Sequence, residues 1–278
     1  METKVGILGR PIRVVVFSGG PVLEQGIKRF VCRLQEHPDI EFLGAICQSE
    51  AQNLRAVIRD LWRRRRFMAV PLLFVQVVNA VTRFLMRPRA EIKLKRKLAQ
   101  LSDRVHFVPD IHSDTVVDRV RSLTADLGLI YGSPILKPKL FETPRFGTLG
   151  IHHGKVPEYR GKKTTFWAMY NGEPTVGVTI QKINAGLDTG EVVKAGEISV
   201  AGKSYRRVWN ELEQLGLALY VQAILEIKRG EANFRPQQGN KGKLCRDPKF
   251  RHVLVFCWRQ LKTLTALRCR LAIAVLKT

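Results

Sequence analysis

Apolar residues recur along the chain in two patterns, short continuous runs and longer stretches with helical spacing. The short runs predict buried strands, at residues 13–17, 40–47, 105–108 and 126–131. The stretches at residues 22–34, 113–123 and 203–228 repeat apolar side chains every three or four positions, which predicts amphipathic helices. Strands that alternate with helices favour an α/β fold with a doubly wound, mostly parallel sheet.

The stretch at residues 146–193 carries the candidate chemistry. Its pattern predicts a buried strand that ends near His152, a rigid loop, a helix, a second strand at residues 176–183, and a turn that contains Asp188. We therefore expect one imidazole nitrogen of His152 to meet the carboxylate of Asp188.

Residues 51–101 interrupt this alternation with a basic, helical insertion. Four arginines at positions 63–66 precede an apolar run at 67–81, which is shorter than the roughly 20 residues needed to span a bilayer. The insertion predicts a helix lying on an anionic membrane or, alternatively, a helix packed on the domain with solvated arginines. Residues 251–278 form a second basic amphipathic segment, and two such segments together favour attachment to a membrane surface.

The formal net charge of +23 is extreme for 278 residues. An excess of this size predicts attraction to phosphate groups on a substrate, a lipid or a nucleic acid. Arginines and lysines are concentrated in the insertion and the C-terminal segment, where apolar residues are interleaved with them. This arrangement favours an anionic membrane over nucleic acid as the partner.

Cysteine usage and the N-terminus indicate the cellular compartment. The five cysteines are odd in number and lack C-x-x-C spacing, so neither a disulfide framework nor a metal site is predicted. Residues 1–11 lack the apolar core of a secretory signal. We expect a cytoplasmic protein, attached peripherally to the inner face of the membrane if its basic segments bind lipid.

A glycine turn follows the first predicted strand, in the sequence Ser18-Gly19-Gly20. The main-chain N–H groups of Gly19 and Gly20 are candidates for binding a substrate phosphate at the start of the next helix. Because the spacing G-x-G-x-x-G is absent, a plain tight turn is the alternative.

Four motifs within residues 146–193 carry a resemblance to a known family. They are H-H-G-K-V-P-E-Y-R-G from His152, W-A-M-Y-N-G-E, G-V-T-I and L-D-T-G. As a set they resemble the N-terminal catalytic domain of the formyltetrahydrofolate-dependent formyltransferases, most clearly over residues 126–193. The resemblance implies a Rossmann-like formyltransferase fold for residues 1–250, followed by the basic segment at 251–278, and it implies 10-formyltetrahydrofolate as the formyl donor.

The resemblance also implies roles for residues of the reaction centre. His152 and Asp188 match the family's histidine and aspartate that surround the formyl group. Gly150 stands where the family has an asparagine, so it offers no side-chain donor for the oxyanion. His153 is a candidate replacement if the strand has already ended there, whereas consecutive residues of a strand point to opposite faces.

Two further sets of residues follow from the same resemblance. The formyl donor is assigned to Ile135, Leu136, Gly186, Leu187 and Thr189. The acceptor side is assigned to Arg160 and Gly161, with Gly19 and Gly20 as the phosphate candidates described above.

The expected function is formyl transfer to the amine of a small acceptor. Such a reaction needs a group that takes the amine proton, for which His152 is the candidate, and donors for the developing oxyanion. Residues after 250 are too few for the second domain of the tRNA-formylating members, which favours a nucleotide- or lipid-linked amino sugar in surface polysaccharide synthesis. Two alternatives stay open, a formyltetrahydrofolate hydrolase with paired histidines and a non-catalytic binding protein docked to membrane.

Overall fold

The computed structural model describes residues 7, 9–19, 24–48, 102–239, 242 and 244–261. The predicted insertion at 51–101, Gly20 and residues 262–278 lie outside these described residues, so the expectations for them stay predictions.

Strands and helices alternate along the described chain as the sequence predicts. The strands are β1 (Ile12–Gly19), β2 (Ile40–Gln48), β3 (Val105–Val108), β4 (Leu127–Ile130), β5 (Thr148–His152), β6 (Thr175–Lys182) and β7 (Val192–Ser199). The helices are α1 (Glu24–Leu34), α2 (Asp114–Ser122), α3 (Pro138–Phe141), α4 (Thr164–Tyr170), α5 (Tyr205–Arg229) and α6 (residues 250–261).

In the described part of the chain, the strands form one seven-stranded sheet in the order β3-β2-β1-β4-β5-β6-β7. Neighbours from β3 to β5 are parallel, whereas β6 and β7 are antiparallel to their neighbours. The predicted α/β fold with a mostly parallel sheet is confirmed. The strand β7 is absent from the sequence prediction because it has no apolar run, and Val193 is its one fully buried residue.

Helices cover both faces of the sheet. On one face α1 and α5 bury Phe30 and Tyr220 against the strands. On the other face α2 and α3 bury Val120 and Phe141 against Phe17 of β1. The order of strands reverses between β1 and β4, and the crevice at the carboxyl ends of strands beside such a reversal is the usual ligand site of this architecture.

The helix α6 begins the predicted C-terminal segment and packs against the domain. Phe256 is 6% exposed and its ring lies 4.8 Å from that of Phe166 and 5.8 Å from that of Tyr205. The guanidinium of Arg259 lies 5.1 Å from the ring centre of Tyr170 and donates to the main-chain oxygen of that residue. Within the described ranges, no helix is both long and apolar enough to cross a bilayer.

Candidate active site

His152 is the last residue of β5, and its ring is buried. The ring nitrogen Nε2 lies 2.7 Å from the main-chain oxygen of Tyr159. Because a carbonyl oxygen only accepts, Nε2 carries the proton, and Nδ1 of the neutral ring has a lone pair. The chain turns closely beneath the ring at Gly154, where a Cβ atom would lie 2.5 Å from Nε2. Glycine is therefore required at that position.

Asp188 faces this ring from the turn between β6 and β7. Its Oδ1 lies 3.4 Å from Nδ1 of His152. The main-chain N–H of Gly161 donates to Oδ2 at 2.7 Å, and the amide of Gln181 donates to Oδ1 at 3.2 Å. The backbone of Asp188 has a φ of 51°, in the left-handed region that aspartate tolerates better than most residues. The fold thus brings the two side chains together.

The surroundings of His152 favour its neutral form. Burial lowers the pKa of His152, and the Asp188 carboxylate and the contact with Tyr159 oppose that effect without overcoming it. A neutral ring at pH 7 keeps the Nδ1 lone pair ready to accept a proton, and the carboxylate can stabilise the imidazolium that results.

Gly150 lies two residues before His152, on the same face of β5. A Cβ atom at this position would lie 2.6 Å from Cδ1 of Ile183 and 3.9 Å from Cβ of Ile130. Ile183 therefore fills the space that an asparagine side chain at position 150 would enter. The lack of a side chain at Gly150 therefore leaves the room that the side chain of Ile183 occupies.

His153 turns to the other face of the sheet. Its Nε2 lies 2.7 Å from Oε2 of Glu213 on α5, and its ring stacks on Trp209 with centroids 4.8 Å apart. The hydroxyl of Tyr131 donates to the same carboxylate. These contacts contradict the expectation that His153 donates to a formyl oxyanion, because consecutive residues at the end of a strand point to opposite faces.

Arg160 and Gly161 lie in the loop beside the pair. Gly161 contributes the N–H that holds Asp188. The Nε atom of Arg160 is buried and, within the ranges that the structure describes, has no hydrogen-bond partner. An unpaired buried donor costs about 1–3 kcal/mol, and more when it is charged.

The apolar residues assigned to the formyl donor have different surroundings. Ile135 is 73% exposed and Leu187 is 40% exposed, so both side chains are open to a ligand. Leu136 is instead buried in the core beneath α2 and α3. Its side chain is used in core packing, and the assignment of Leu136 to the formyl donor stays a prediction.

Gly186 and Thr189 shape the turn that contains Asp188. The main-chain N–H of Gly186 and the hydroxyl of Thr189 both donate to Oδ1 of Asn184, at 3.0 and 2.9 Å. The structure thus gives these two residues contacts within the turn, and their assignment to the formyl donor stays a prediction.

Gly19 ends β1 next to the loop that follows β4. Its main-chain N–H donates to the oxygen of Gly132 at 3.1 Å, and a Cβ atom at Gly19 would lie 2.7 Å from Cδ of Pro134. The N–H is therefore already used, which favours the tight turn over a phosphate site at this residue.

Two amide side chains near Asp188 are not among the residues that the sequence singles out. Gln181 is 2% exposed on β6. The Nε2 of Gln237 donates to Oε1 of Gln181 at 3.2 Å and to the main-chain oxygens of Asp188 and Gly190 at 3.0 and 2.8 Å. The strand of Gln181 also contains Thr179 and Lys182, so neither glutamine carries a sequence signal that singles it out.

The sequence of this chain is similar to a known protein family. The family model for formyl transferase matches residues 75–224, more than half of the chain. The methionyl-tRNA formyltransferase of Thermodesulfovibrio yellowstonii is 32% identical over 129 residues, which cover 45% of this chain and 42% of that protein. The chain spans less than half the length of this and other curated relatives that it matches.

Solved structures share the fold at low sequence identity. A sugar N-formyltransferase from a Shewanella species has a TM-score of 0.53 at 15% identity, with 88% of this chain and 86% of that chain covered. HypX from Aquifex aeolicus, in complex with tetrahydrofolic acid, has a TM-score of 0.53 at 17% identity, with 85% and 30% covered. These likenesses confirm the Rossmann-like sheet, and the family match shows that the chain belongs to the formyl transferase family.

Proposed function

We propose that this chain transfers a formyl group from 10-formyltetrahydrofolate to the amine of a small acceptor. The observation that carries the proposal is the buried pair of His152 and Asp188 at the carboxyl end of β5, with Nδ1 facing the carboxylate at 3.4 Å. The pair lies one strand away from β4, where the strand order reverses.

The described side chains divide the work of this reaction. The bound donor supplies an electrophilic formyl carbon. Neutral His152 accepts the proton that the amine loses, a role typically worth about 10²–10⁴-fold in rate. Asp188 stabilises the imidazolium, and the proton then passes to the nitrogen that leaves, so the ring ends each turnover neutral. The main-chain N–H of Gly161 keeps Asp188 in place throughout.

The exposed side chains of the site suit a folate donor. Ile135 and Leu187 present apolar surface in the two segments that the family resemblance assigns to the donor. Covering such side chains with a flat pterin ring removes apolar area from water, which is worth about 25 cal/mol per Å². This surface supports the donor assignment.

The acceptor that we propose carries an anionic group, as a nucleotide- or lipid-linked amino sugar of surface polysaccharide synthesis does. The guanidinium of Arg160, whose Nε has no hydrogen-bond partner among the described residues, lies next to the residue that holds Asp188 and supports this choice. A guanidinium binds phosphate oxygens in a fixed geometry through several donors. The net charge of +23 favours anionic acceptors in the same sense.

Two alternatives are less well supported. A formyltetrahydrofolate hydrolase that works with paired histidines needs both rings at the reaction centre, whereas the ring of His153 contacts Glu213. A non-catalytic binding protein accounts for Gly150, but it gives no reason for a buried histidine with a carboxylate held at its Nδ1.

Consumption of 10-formyltetrahydrofolate by the purified full chain tests the proposal. Nucleotide-linked amino sugars are added in turn, and His152→Ala is compared with His153→Ala. Consumption that requires an acceptor and is lost in His152→Ala supports the transferase. Acceptor-independent consumption identifies a hydrolase, and no consumption with any acceptor favours the binding protein.

We further propose that the enzyme is cytoplasmic and attached to an anionic membrane surface. One side of α6 is exposed and apolar, with fractional exposures of 40, 54, 59 and 61% at Phe250, Leu254, Trp258 and Leu261. Their spacing of three or four residues places them on a single helix face, opposite the buried Phe256. An apolar face on a strongly basic chain is complementary to anionic lipid, where each basic residue near the surface adds about 1 kcal/mol.

Sedimentation with vesicles tests this attachment. The full chain is expected to sediment with phosphatidylglycerol-containing vesicles and not with pure phosphatidylcholine. Leu254→Asp should weaken binding about tenfold, since burying a leucine is worth about 1.5–3 kcal/mol. Phe107→Asp is the matched control, because Phe107 is 59% exposed on β3. Equal binding by the two variants would overturn the role of α6.

A further inference from the structure

Gln181 occupies the position on β6 directly opposite Gly150. The antiparallel pairing of β5 and β6 aligns Gly150 with Gln181 and His152 with Thr179. Residues that face each other across an antiparallel pair have their side chains on the same face of the sheet. The side chain of Gln181 therefore lies on the face of Gly150 and His152, where it is 2% exposed.

The orientation of the Gln181 amide is determined by its two partners. Oδ1 of Asp188 is a carboxylate oxygen and only accepts, so the group 3.2 Å from it is the NH₂ of Gln181. The other end of the amide, Oε1, accepts from Nε2 of Gln237 at 3.2 Å. Gln237 in turn donates to the main-chain oxygens of Asp188 and Gly190, which fixes its own orientation.

These contacts restrain both oxygens of the carboxylate. The N–H of Gly161 holds Oδ2 at 2.7 Å, while Gln181 holds Oδ1, the oxygen nearest to Nδ1 of His152. With Gly161 alone, the carboxylate is free to rotate about its last side-chain bond, and Oδ1 is then no longer fixed beside the ring. The second contact removes that freedom.

We propose that Gln181 is a positioning residue, whose amide holds Asp188 against His152 and places on β6 the carboxamide that position 150 of β5 lacks. Gly150 has no side chain, and Ile183 fills the space beside it, whereas among the described residues the neighbouring strand brings the amide of Gln181 to this part of the site. The consequence for the rate rests on the proposed formyl transfer, whereas the arrangement of the pair does not.

Titration of His152 by NMR in the full chain tests the inference without reference to activity. The ring signal is assigned by its absence in His152→Ala. The titratable group that faces this ring is Asp188, His153 affects the ring by its charge from the other face of the sheet, and Tyr159 contributes its main-chain oxygen. Gln181→Met, which keeps size but removes the amide, is expected to shift the His152 titration to lower pH because the carboxylate is no longer held beside Nδ1.

A second variant and a control distinguish positioning from general destabilisation. Gln181→Glu adds a carboxyl group beside Asp188 and is expected to shift the His152 titration to higher pH, opposite to Gln181→Met. The control is Thr148→Val on β5, which removes the buried hydrogen bond from the Thr148 hydroxyl to the main-chain oxygen of Phe141 without touching Asp188. It should leave the titration where it is in the parent chain.

The outcomes separate this inference from the proposed function. If both Gln181 variants titrate like Thr148→Val, the inference is overturned even when formyl transfer is intact. If the titration shifts in opposite directions but no acceptor is formylated, the inference holds and the proposed function fails. When transfer is observed, Gln181→Met should lower kcat by about 10- to 100-fold, the range known for groups that orient metal-ligating histidines.

Discussion

Two adjacent histidines end β5, and each faces a carboxylate on a different side of the sheet. His153 contacts the carboxylate of Glu213 at 2.7 Å, and that carboxylate also accepts a hydrogen bond from Tyr131. His152 faces Asp188 at 3.4 Å, and two further donors hold that carboxylate while the Nδ1 lone pair stays available. The difference teaches that the short contact ties His153 to the packing of α5, whereas the longer contact leaves Nδ1 of His152 with a lone pair for the chemistry that we propose.

Removing each histidine ring in turn is expected to give the largest effect, and it tests whether the two histidines have different roles. His152→Ala is expected to lower the rate of formyl transfer by about 10²–10⁴-fold, because the group that accepts the amine proton is lost. His153→Ala should lower it less than about tenfold, since that ring contacts Glu213 and Trp209 of α5 rather than the His152 face. Steady-state rates measured on folded protein decide the matter, and equal losses in both variants would contradict the division of roles.

A double-mutant cycle tests whether Ile183 occupies the space beside Gly150, on the face of the sheet that carries His152. Gly150→Asn should lower the free energy of unfolding by about 1–3 kcal/mol, because its Cβ would meet Cδ1 of Ile183 at 2.6 Å. With Ile183→Ala in the same chain, the combined loss should be smaller than the sum of the single losses by about 1 kcal/mol. Urea unfolding measures each term.

A glycine elsewhere is the control for this cycle. A Cβ atom at Gly172 meets nothing within 4 Å, and its φ of 82° is positive, where a side chain strains the backbone and asparagine does so less than most residues. Gly172→Asn should therefore show the cost of backbone strain without a steric clash, and its loss should not depend on Ile183→Ala. Strict additivity of Gly150→Asn and Ile183→Ala would show that the isoleucine does not occupy the asparagine space.

The pH dependence of the rate follows from the lowered pKa of His152. Burial holds that pKa below the ordinary value of about 6.5, so the ring is neutral above this pH. We expect kcat/KM to be level above pH 6.5 and to fall about tenfold per pH unit once the pH drops below the pKa of His152. A rate profile from pH 4.5 to 8.5 gives the result, and an acid limb that begins above pH 6.5 would contradict a ring that is neutral at rest.

The smallest effect concerns stability on the His153 face. Burial alone would raise the pKa of Glu213, but hydrogen bonds from His153 and Tyr131 outweigh it, so the pKa is lowered. The stabilisation is therefore present above the unfolded pKa of about 4.3 and is lost as pH falls through the folded value. Glu213→Gln should cost about 1 kcal/mol at neutral pH and less in acid, as measured by urea unfolding at pH 7 and pH 4.

The sequence predicts much of the fold because its signals are local. The spacing of apolar residues and the length of apolar runs identify most strands and helices. The strand β7 is not identified, because it forms through its contacts with β6 and α5 rather than through an apolar run of its own. His152 and Asp188 are also found from sequence, since motifs of short range surround both. The sequence left the direction of the His153 ring open, because that direction depends on where β5 ends, and the structure places the ring against Glu213 and Trp209.

By itself the sequence determined an alternating α/β chain with a histidine at a strand end and an aspartate in a glycine-bounded turn. Only the tertiary structure decided that Ile183 fills the space beside Gly150, that Gln181 and Gln237 hold Asp188, and that Glu213 takes His153. The physical reason is distance along the chain. Glu213 lies 60 residues from His153, and Gln237 lies 49 residues from Asp188, so no local pattern records these contacts. They arise when the packing of the sheet against its helices brings side chains that are distant along the chain into contact.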